Sequence, residues 1–303
     1  MSTKFFNLYS IVVLYNPDYN KLFKLCQILS SNNINIVLID NSDNNKIDFK
    51  KIIELPKIHV IELCYNFGIA KAQNIGINYS LNEKADAILF FDQDSQIDST
   101  FLSKLISPLS NNKISICAPV LVDFDSEIQL PTISINKLGL LSQIHDLSKK
   151  SDFNIVISSG LVVKSEIFSR VGLMNEEYFI DYVDTDFCFR CFAQNIKIYI
   201  VPNAIMKHPV GEKMVKIFGL YFFIHNPQRV YYQTRNCLIF STKNYVPIIF
   251  RLREIISLAM HQIFLLCFYY RNRKYYMKAF FLGLFHGFLG KKGKLSLDLN
   301  FKS

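Results

Sequence analysis

"AILFFDQD", residues 87–94, runs five apolar residues straight into two carboxylates one position apart. A strand with one wet face alternates apolar and polar side chains. An unbroken apolar run of this length is the pattern of a strand buried on both faces. Three earlier segments have the same form: "LYSIVVLYN" (8–16), "INIVLID" (34–40) and "IHVIELCYN" (58–66). Asn16-Pro17 opens a helix through Leu22, Leu25 and Leu29, since proline suits a first helical turn. A second helix is expected over 68–81. Buried strands alternating with helices predict an α/β domain whose mostly parallel sheet is covered on both faces.

Each strand of this set ends on polar residues: Asn16, Asp40 with Asn41, Asn66, and Asp92 with Asp94. Open α/β sheets bind ligands outside the carboxyl ends of their strands, so four segments deliver polar groups to one crevice. Asp92 and Asp94 would repel one another there and raise one proton affinity unless a cation neutralised them. Mg²⁺ or Mn²⁺, its shell completed by water and diphosphate oxygens, is a natural occupant. The plainer use of such aspartates is helix capping, but Asp98 and Ser99 already supply caps before "TFLSKL".

Downstream, "SICAPVLV" (115–122) reads as another strand, 123–152 as a polar irregular loop or insertion, and 154–172 as strand, Ser158-Ser159-Gly160 turn, short strand and helix. "FIDYVDTDFCFR" (179–190) is a second acidic segment, helical in its later part. On a helix Asp181 and Asp184 share a face, while Asp186 lies one turn before Arg190 and suits a structural ion pair. His208, just past a last short strand at 197–202, is a candidate metal or diphosphate contact if that strand returns to the crevice. Seven scattered cysteines, including the lone pair Cys188 and Cys191, fit reduced core thiols better than disulfides or zinc.

Half of the 303 residues are hydrophobic, enough to bury a full-sized core. The first residues lack the pattern of a secretory signal, which predicts a cytoplasmic protein. The net charge of +9 resides in residues 243–303, where eleven Lys or Arg face two acids; residues 1–242 are neutral. Residues 246–289 interleave this charge with Phe, Leu, Ile and Tyr, and their longest uncharged run, 255–270, is shorter than the ~20 residues a bilayer crossing needs. The tail is therefore expected to lie on an anionic membrane surface, the alternative being helices packed on the domain or on another subunit of an oligomer. Positive charge mixed with bulky aliphatics, beside an acidic cleft, argues against nucleic acid as partner.

Taken in order, "IVVLYNPD", "LIDNSDNN", "NFGIAKAQNIGI", "FFDQDS", "FIDYVDTDFCFR" and "YYQTRN" (231–236) resemble the family 2 glycosyltransferases, specifically their bacterial rhamnosyltransferase branch. The resemblance runs from about Ile11 to Asn244. It implies a GT-A fold over residues 1–242, with 243–303 as a helical, membrane-associating extension. It also implies a nucleotide-sugar donor, Mg²⁺ or Mn²⁺, and transfer with inversion at the anomeric carbon. In its terms Asp184 occupies the place of the catalytic base. The broader family often has Glu-Asp where this chain has Val183-Asp184, which keeps Asp181 as a second acid. Asp94, Asp92 and His208 resemble the metal set, and Asn16, Asp40, Asn66, Lys71, Asp92, Arg190 and Arg235 the donor contacts. The implied reaction moves a sugar, L-rhamnose from dTDP-L-rhamnose first, onto a lipid-linked or growing surface polysaccharide. A UDP-sugar donor (galactose, galactofuranose or N-acetylglucosamine) and a non-catalytic nucleotide- or nucleic-acid-binding protein are the alternatives.

Overall fold

The structure is a computed structural model that describes residues 7–43, 49–123, 127, 129–144, 153–208, 213–217 and 220–295. Its elements, in chain order, are β1 (Leu8–Leu14), α1 (Tyr19–Ser31), β2 (Asn35–Asp40), α2 (Lys50–Ile53), β3 (Ile58–Glu62), α3 (Ile69–Asn82), β4 (Ala87–Asp92) and α4 (Phe101–Ile106). There follow β5 (Ile116–Asp123), β6 (Thr132–Ile135), β7 (Leu141–Ile144), β8 (Phe153–Ile155), β9 (Val162–Lys164), α5 (Glu166–Val171), α6 (Val183–Ala193) and β10 (Tyr199–His208). The chain closes with β11 (Lys213–Ile217), β12 (Leu220–Ile224), α7 (Pro227–Ser241), α8 (Ile248–Phe268) and α9 (Arg273–Phe288).

Among the described residues, seven strands form the main sheet in the order β10-β5-β9-β4-β1-β2-β3. All pairings are parallel except those of β9, which runs against both β4 and β5. The carboxyl ends of the other six strands therefore meet at one edge. The continuous apolar runs have the expected cause. Ile11, Val37, Ile39, Ile88 and Phe90 face one core with α3, while Val12, Leu14, Leu38, Leu89 and Phe91 face the other with α1. Truncating a fully buried ring such as Phe90 to alanine would cost about 3–5 kcal/mol.

Two expectations need correction. Residues 123–152 are not simply irregular: β6 and β7 join β8 in a three-stranded antiparallel sheet, whose short strands carry too few apolar residues to announce themselves. Residues 145–152 lie outside the described ones. The last strand of the main sheet extends to His208 rather than ending at 202. Its register with β5 shifts between Val201 and Ile205, so a bulge at this sheet edge absorbs Pro202.

The helices after residue 242 are packed into the body. Val246 and Phe250 belong to a main core cluster, and Ala279 and Phe280 of α9 pack with Val230, Tyr231 and Tyr232 of α7. Close approach of α9 to α7 depends on Gly283, where a Cβ would stand 2.8 Å from the Tyr231 carbonyl. Cys188 and Cys191 are free and buried in α6, and burial pushes the Cys191 thiol up to about 12, as inert core thiols require.

Candidate active site

The crevice at the carboxyl edge is a cavity of about 530 Å³. Val13 and Tyr15 enter from β1, Asn41 from beyond β2, Asn66 and Gly68 from beyond β3, and Asp92, Gln93 and Asp94 from the end of β4. Phe179, Ile180, Arg229 and Tyr232 close it from the other side.

Local hydrogen bonds fix these turns to one another. Gln93 accepts from the Tyr15 amide at 2.7 Å and donates to its carbonyl at 3.1 Å, binding the β4 turn to the end of β1. Asn66 accepts from Asn41 Nδ2 and from the Gly68 amide, while Asn41 Oδ1 accepts from the Phe67 amide. Gly68, at φ 87°, lets this loop touch the acidic segment: a Cβ there would lie 2.4 Å from the Phe179 carbonyl.

Asp92 lies under the Ser158-Ser159-Gly160 turn, with the Ser159 hydroxyl against it. Burial first, then the neighbouring charge of Asp94, pushes its carboxyl up to about 6, against the opposing pull of Ser159 and Arg229. A carboxylate whose proton affinity is raised by a neighbouring carboxylate in a cavity fits a divalent cation, which relieves that repulsion. Among the described residues no three His, Cys, Asp or Glu side chains are placed to hold one metal ion together, so water and substrate oxygens would fill the positions beside Asp92 and Asp94, as Mg²⁺ and Mn²⁺ commonly require. Asp98, by contrast, accepts from the amide and hydroxyl of Thr100, so the capping work falls to it and not to Asp94.

The second acidic segment arrives on a strained turn. Asp181 and Tyr182 are consecutive non-glycine residues at φ 61° and 65°, each costing about 1–3 kcal/mol unless held from outside. Asn236 holds them, donating Nδ2 to the Ile180 and Asp181 carbonyls at 2.7 and 3.2 Å. Tyr182 donates its hydroxyl to Glu254 of α8 at 2.9 Å. The turn delivers Asp184 to the first turn of α6, where the Ser158 amide donates to its Oδ2 at 3.0 Å. Burial pushes the Asp184 carboxyl up to about 6, with the charges of Asp92 and Asp181 adding to the effect. Asp181 faces Arg229 at 3.1 Å; burial raises its carboxyl, and Arg229 and Gln233 oppose the rise.

The structure thus brings Asp92 and Asp94 near Asp181 and Asp184 from two distant segments, with Arg229 paired to Asp181 and its charge reaching Asp92. Asn66 lines the cavity. Asn16 stands at its rim at φ 48°, its amide donating to Ser42. Asp40 is buried behind the rim and accepts from the Ser42 amide, leaving Asn41 as the β2 residue that lines the cavity. The backbone of Lys207 bridges Gln96, so β10 does return to the edge beside the Asp92 turn. The side chain of His208 lies outside the described ones.

Three expected donor contacts are engaged elsewhere. Lys71 pairs with Glu176 on the outer surface. Arg190 is bound to Asp186 at 2.8 Å and to the Val171 carbonyl, and Tyr245 caps the other Asp186 oxygen, so this pair is structural. Arg235 is 1% exposed, stacked on Tyr231 and Tyr232 and donating to the Gly293 carbonyl, where it fastens the chain after α9 rather than a ligand. Arg229 takes the position the sequence reading gave to these residues. One signal marks it: Asn226-Pro227 is a helix-start pattern, and Asn226 caps α7 by accepting from the Arg229 amide.

Residues 17–172 match the family model described as Glycosyl transferase family 2. The chain is 40% identical, over 95% of its length and 97% of the relative's, to a Shigella flexneri protein named dTDP-rhamnosyl transferase RfbF. Among solved structures it resembles S. aureus TarS 1-349 in complex with UDP-GlcNAc, with TM-score 0.59, 13% identity, and coverage of 92% of this chain and 81% of that one. It also resembles GalNAc-T7 with UDP, GalNAc and Mn2+, with TM-score 0.52, 15% identity, and coverage of 71% of this chain and 44% of that one. With the parallel sheet, the polar crevice at its carboxyl edge and these likenesses in agreement, the chain belongs to glycosyl transferase family 2 and is an α/β glycosyltransferase of GT-A fold.

Proposed function

We propose that this enzyme transfers L-rhamnose from dTDP-L-rhamnose, with inversion, to a lipid-linked saccharide at the inner face of the cell membrane. The observation that carries the chemistry is the mutual approach of two acidic segments: Asp92 and Asp94 line the donor crevice with Arg229, Asp181 pairs with Arg229, and Asp184 lies within reach of the charges of Asp92 and Asp181. The choice of sugar rests on the 40% identity to the Shigella flexneri rhamnosyl transferase.

In this reading the donor lies across the strand ends, its nucleoside against Asn41 and Asn66 and its diphosphate toward Asp92, Asp94 and Arg229. Asp94 and Asp92 would hold Mg²⁺ or Mn²⁺, which would supply charge stabilisation to the departing diphosphate. Asp184 is the general base. The Ser158 amide holds one of its oxygens, and the other takes the proton of an acceptor hydroxyl as that oxygen attacks the anomeric carbon. The bond to the diphosphate breaks on the opposite face, which inverts the configuration. Asp181, occupied by Arg229, positions the cation between the two acidic segments.

Membrane attachment is read from α8 and α9. No helix among the described residues is long and apolar enough to cross a bilayer. Instead Ile249, Leu252, Ile256, Met260 and Ile263 recur along one exposed stripe of α8, with Met260 66% exposed, and Met277, Phe281, Phe285 and Phe288 do so on α9. Exposed Arg253, Arg271, Arg273, Lys274 and Lys278 accompany them. Apolar side chains beside basic ones match the acyl boundary and headgroups of an anionic leaflet, each Lys or Arg being worth roughly 1 kcal/mol near such a surface.

A donor panel tests the reading: purified enzyme, Mn²⁺, and dTDP-L-rhamnose or UDP-sugars with a lipid-diphosphate-sugar acceptor, followed by mass spectrometry. The expected product gains one deoxyhexose, and chelation of the metal stops its formation. A hexose or N-acetylhexosamine increment instead assigns a UDP-sugar donor.

A further inference from the structure

A second cavity, of about 340 Å³, lies on the far side of the Asp181 turn from the donor crevice. Its size is in the range of small-ligand sites, ~300–1,000 Å³. Its walls are polar on every side: Asp181 and Thr185 from the acidic segment, His225 after β12, Gln233 of α7, and Glu254 and His261 of α8. Asp181 lines this cavity and its charge reaches Asp184, so the cavity lies next to the segment that carries the proposed base.

The lining is built to meet hydroxyl groups. Nδ1 of His225 is buried with no hydrogen-bond partner, a costly arrangement unless something in the cavity completes it. Burial first, then Arg229 and His261, push the His225 imidazole down to about 4, so the ring is neutral near pH 7 and able to accept a hydrogen bond. Glu254 accepts from Tyr182, His261 Nε2 is 3.1 Å from the Phe223 carbonyl and Gln233 bonds Asp181, so these groups are held in place while their second oxygens or ring nitrogens can still meet a hydroxyl. The cavity also carries an aromatic surface, Phe223, 40% exposed. Polar groups ringing an apolar ring face suit a pyranose, which presents hydroxyls at its edge and C–H bonds on its face.

Helix α8 links this cavity to the outer surface. Glu254 and His261 face inward while Leu252, Ile256, Met260 and Ile263 face out.

We propose that this cavity is the acceptor-sugar subsite, and that Gln233, Glu254, His225 and His261 read the hydroxyl pattern of the accepting residue. The assignment rests on the glycosyltransferase reading of the donor crevice and deepens it. It makes α8 a specificity element whose inner face reads the saccharide and whose outer face meets lipid.

Saturation-transfer NMR tests it. Full-length enzyme loaded with dTDP and Mg²⁺ is titrated with the methyl glycosides of glucose, galactose, rhamnose and N-acetylglucosamine, and compared with His261→Ala and Ser257→Tyr, the latter obstructing the cavity from α8. At least one glycoside is expected to bind the wild type and to shift the His225 and His261 ring resonances. His261→Ala should weaken that binding roughly three- to tenfold, the worth of one or two hydrogen bonds, and Ser257→Tyr should abolish it, with dTDP affinity unchanged in both. Should Ser257→Tyr fail to fold, His261→Ala and the ring resonances still decide. Binding that survives the variants without moving either histidine, or no glycoside bound at all, overturns the subsite. Failure of the wild type to bind dTDP or UDP fails the donor reading instead.

Discussion

The guanidinium of Arg229 stands 3.1 Å from Oδ1 of Asp181, and its charge also reaches Asp92. One cation thus sits between two acidic segments that approach from opposite sides of the crevice. Arg229→Gln removes the charge and keeps a polar side chain of similar reach. Asp181 then stays buried without its ion-pair partner, a loss moderated by the one-third exposure of Arg229. Nucleoside diphosphate affinity should fall about 10- to 150-fold, as for loss of a charge-assisted hydrogen bond worth about 1.5–3 kcal/mol, and kcat should fall with it. Calorimetric titration with dTDP and steady-state kinetics check this. Unchanged affinity and rate would leave Arg229 with a purely structural part.

Asp184→Asn should lower kcat by about 10²–10⁴-fold with donor affinity intact, the usual contribution of a general base. The wild-type rate should also carry the signature of that carboxyl. Pushed up to about 6 by burial, it is protonated and inactive as a base below that pH. The limb of kcat/KM below pH 6 is expected to fall about tenfold per unit and to be missing from the residual activity of Asp184→Asn. The stability sign is opposite. Asp92 and Asp184 both bind protons more tightly folded than unfolded, so their contribution is full below about 3.8 and is lost as pH rises through about 6. Asp181→Asn, with Asp184 intact, should retain the acidic limb; a profile lost there instead would transfer the base role to Asp181.

What the sequence made legible, and what it did not, divides along a physical line. The central strands of the main sheet were readable because burial on both faces makes nearly every residue apolar whatever the register. Their polar ends were readable because a parallel sheet puts them at one edge. Spacing also gave the Asp186–Arg190 pair on α6, but not the side-chain destinations on α7. Arg235 and Arg229 both belong to α7, and only its rotation against α9 sends Arg235 under Gly293 and Arg229 to Asp181. Asn236 meets its carbonyl partners across 56 and 55 residues of chain, a contact no local spacing encodes. The β6 and β7 strands escaped notice because four-residue segments such as "LSQI" hold too little pattern to separate a strand from a loop.

Asn236→Ala tests whether the left-handed turn is held from α7. The substitution leaves the Ile180 and Asp181 carbonyls without their donor, at a cost of about 1–3 kcal/mol in urea unfolding. Freed from that clamp, Asp181 and Tyr182 can relax toward ordinary φ values, which would shift Asp184. The expected kinetic result is a drop in kcat with little change in the KM for donor, since the nucleoside side of the crevice is built from β1 to β4. Loss of stability with undiminished kcat would mean that the turn keeps its geometry without Asn236.

Paired charge insertion on the outer face of α8 separates membrane docking from catalysis. Ile256 and Met260 are 57% and 66% exposed, one helical turn apart, and neither lines a cavity described above, so Ile256→Glu with Met260→Glu should fold normally. The wild type is expected to sediment with vesicles containing phosphatidylglycerol at low salt, and to be released as the Debye length shrinks from about 10 Å at 0.1 M to about 3 Å at 1 M salt. The double variant should stay in the supernatant. Its turnover of a water-soluble acceptor saccharide should remain at the wild-type level, while turnover of a lipid-linked acceptor presented in vesicles falls. If the stripe is instead an interface between copies of this chain, the double variant changes its elution volume on size exclusion and vesicle binding is absent from the start. That pairing of results would move the apolar faces of α8 and α9 from the bilayer to a second subunit.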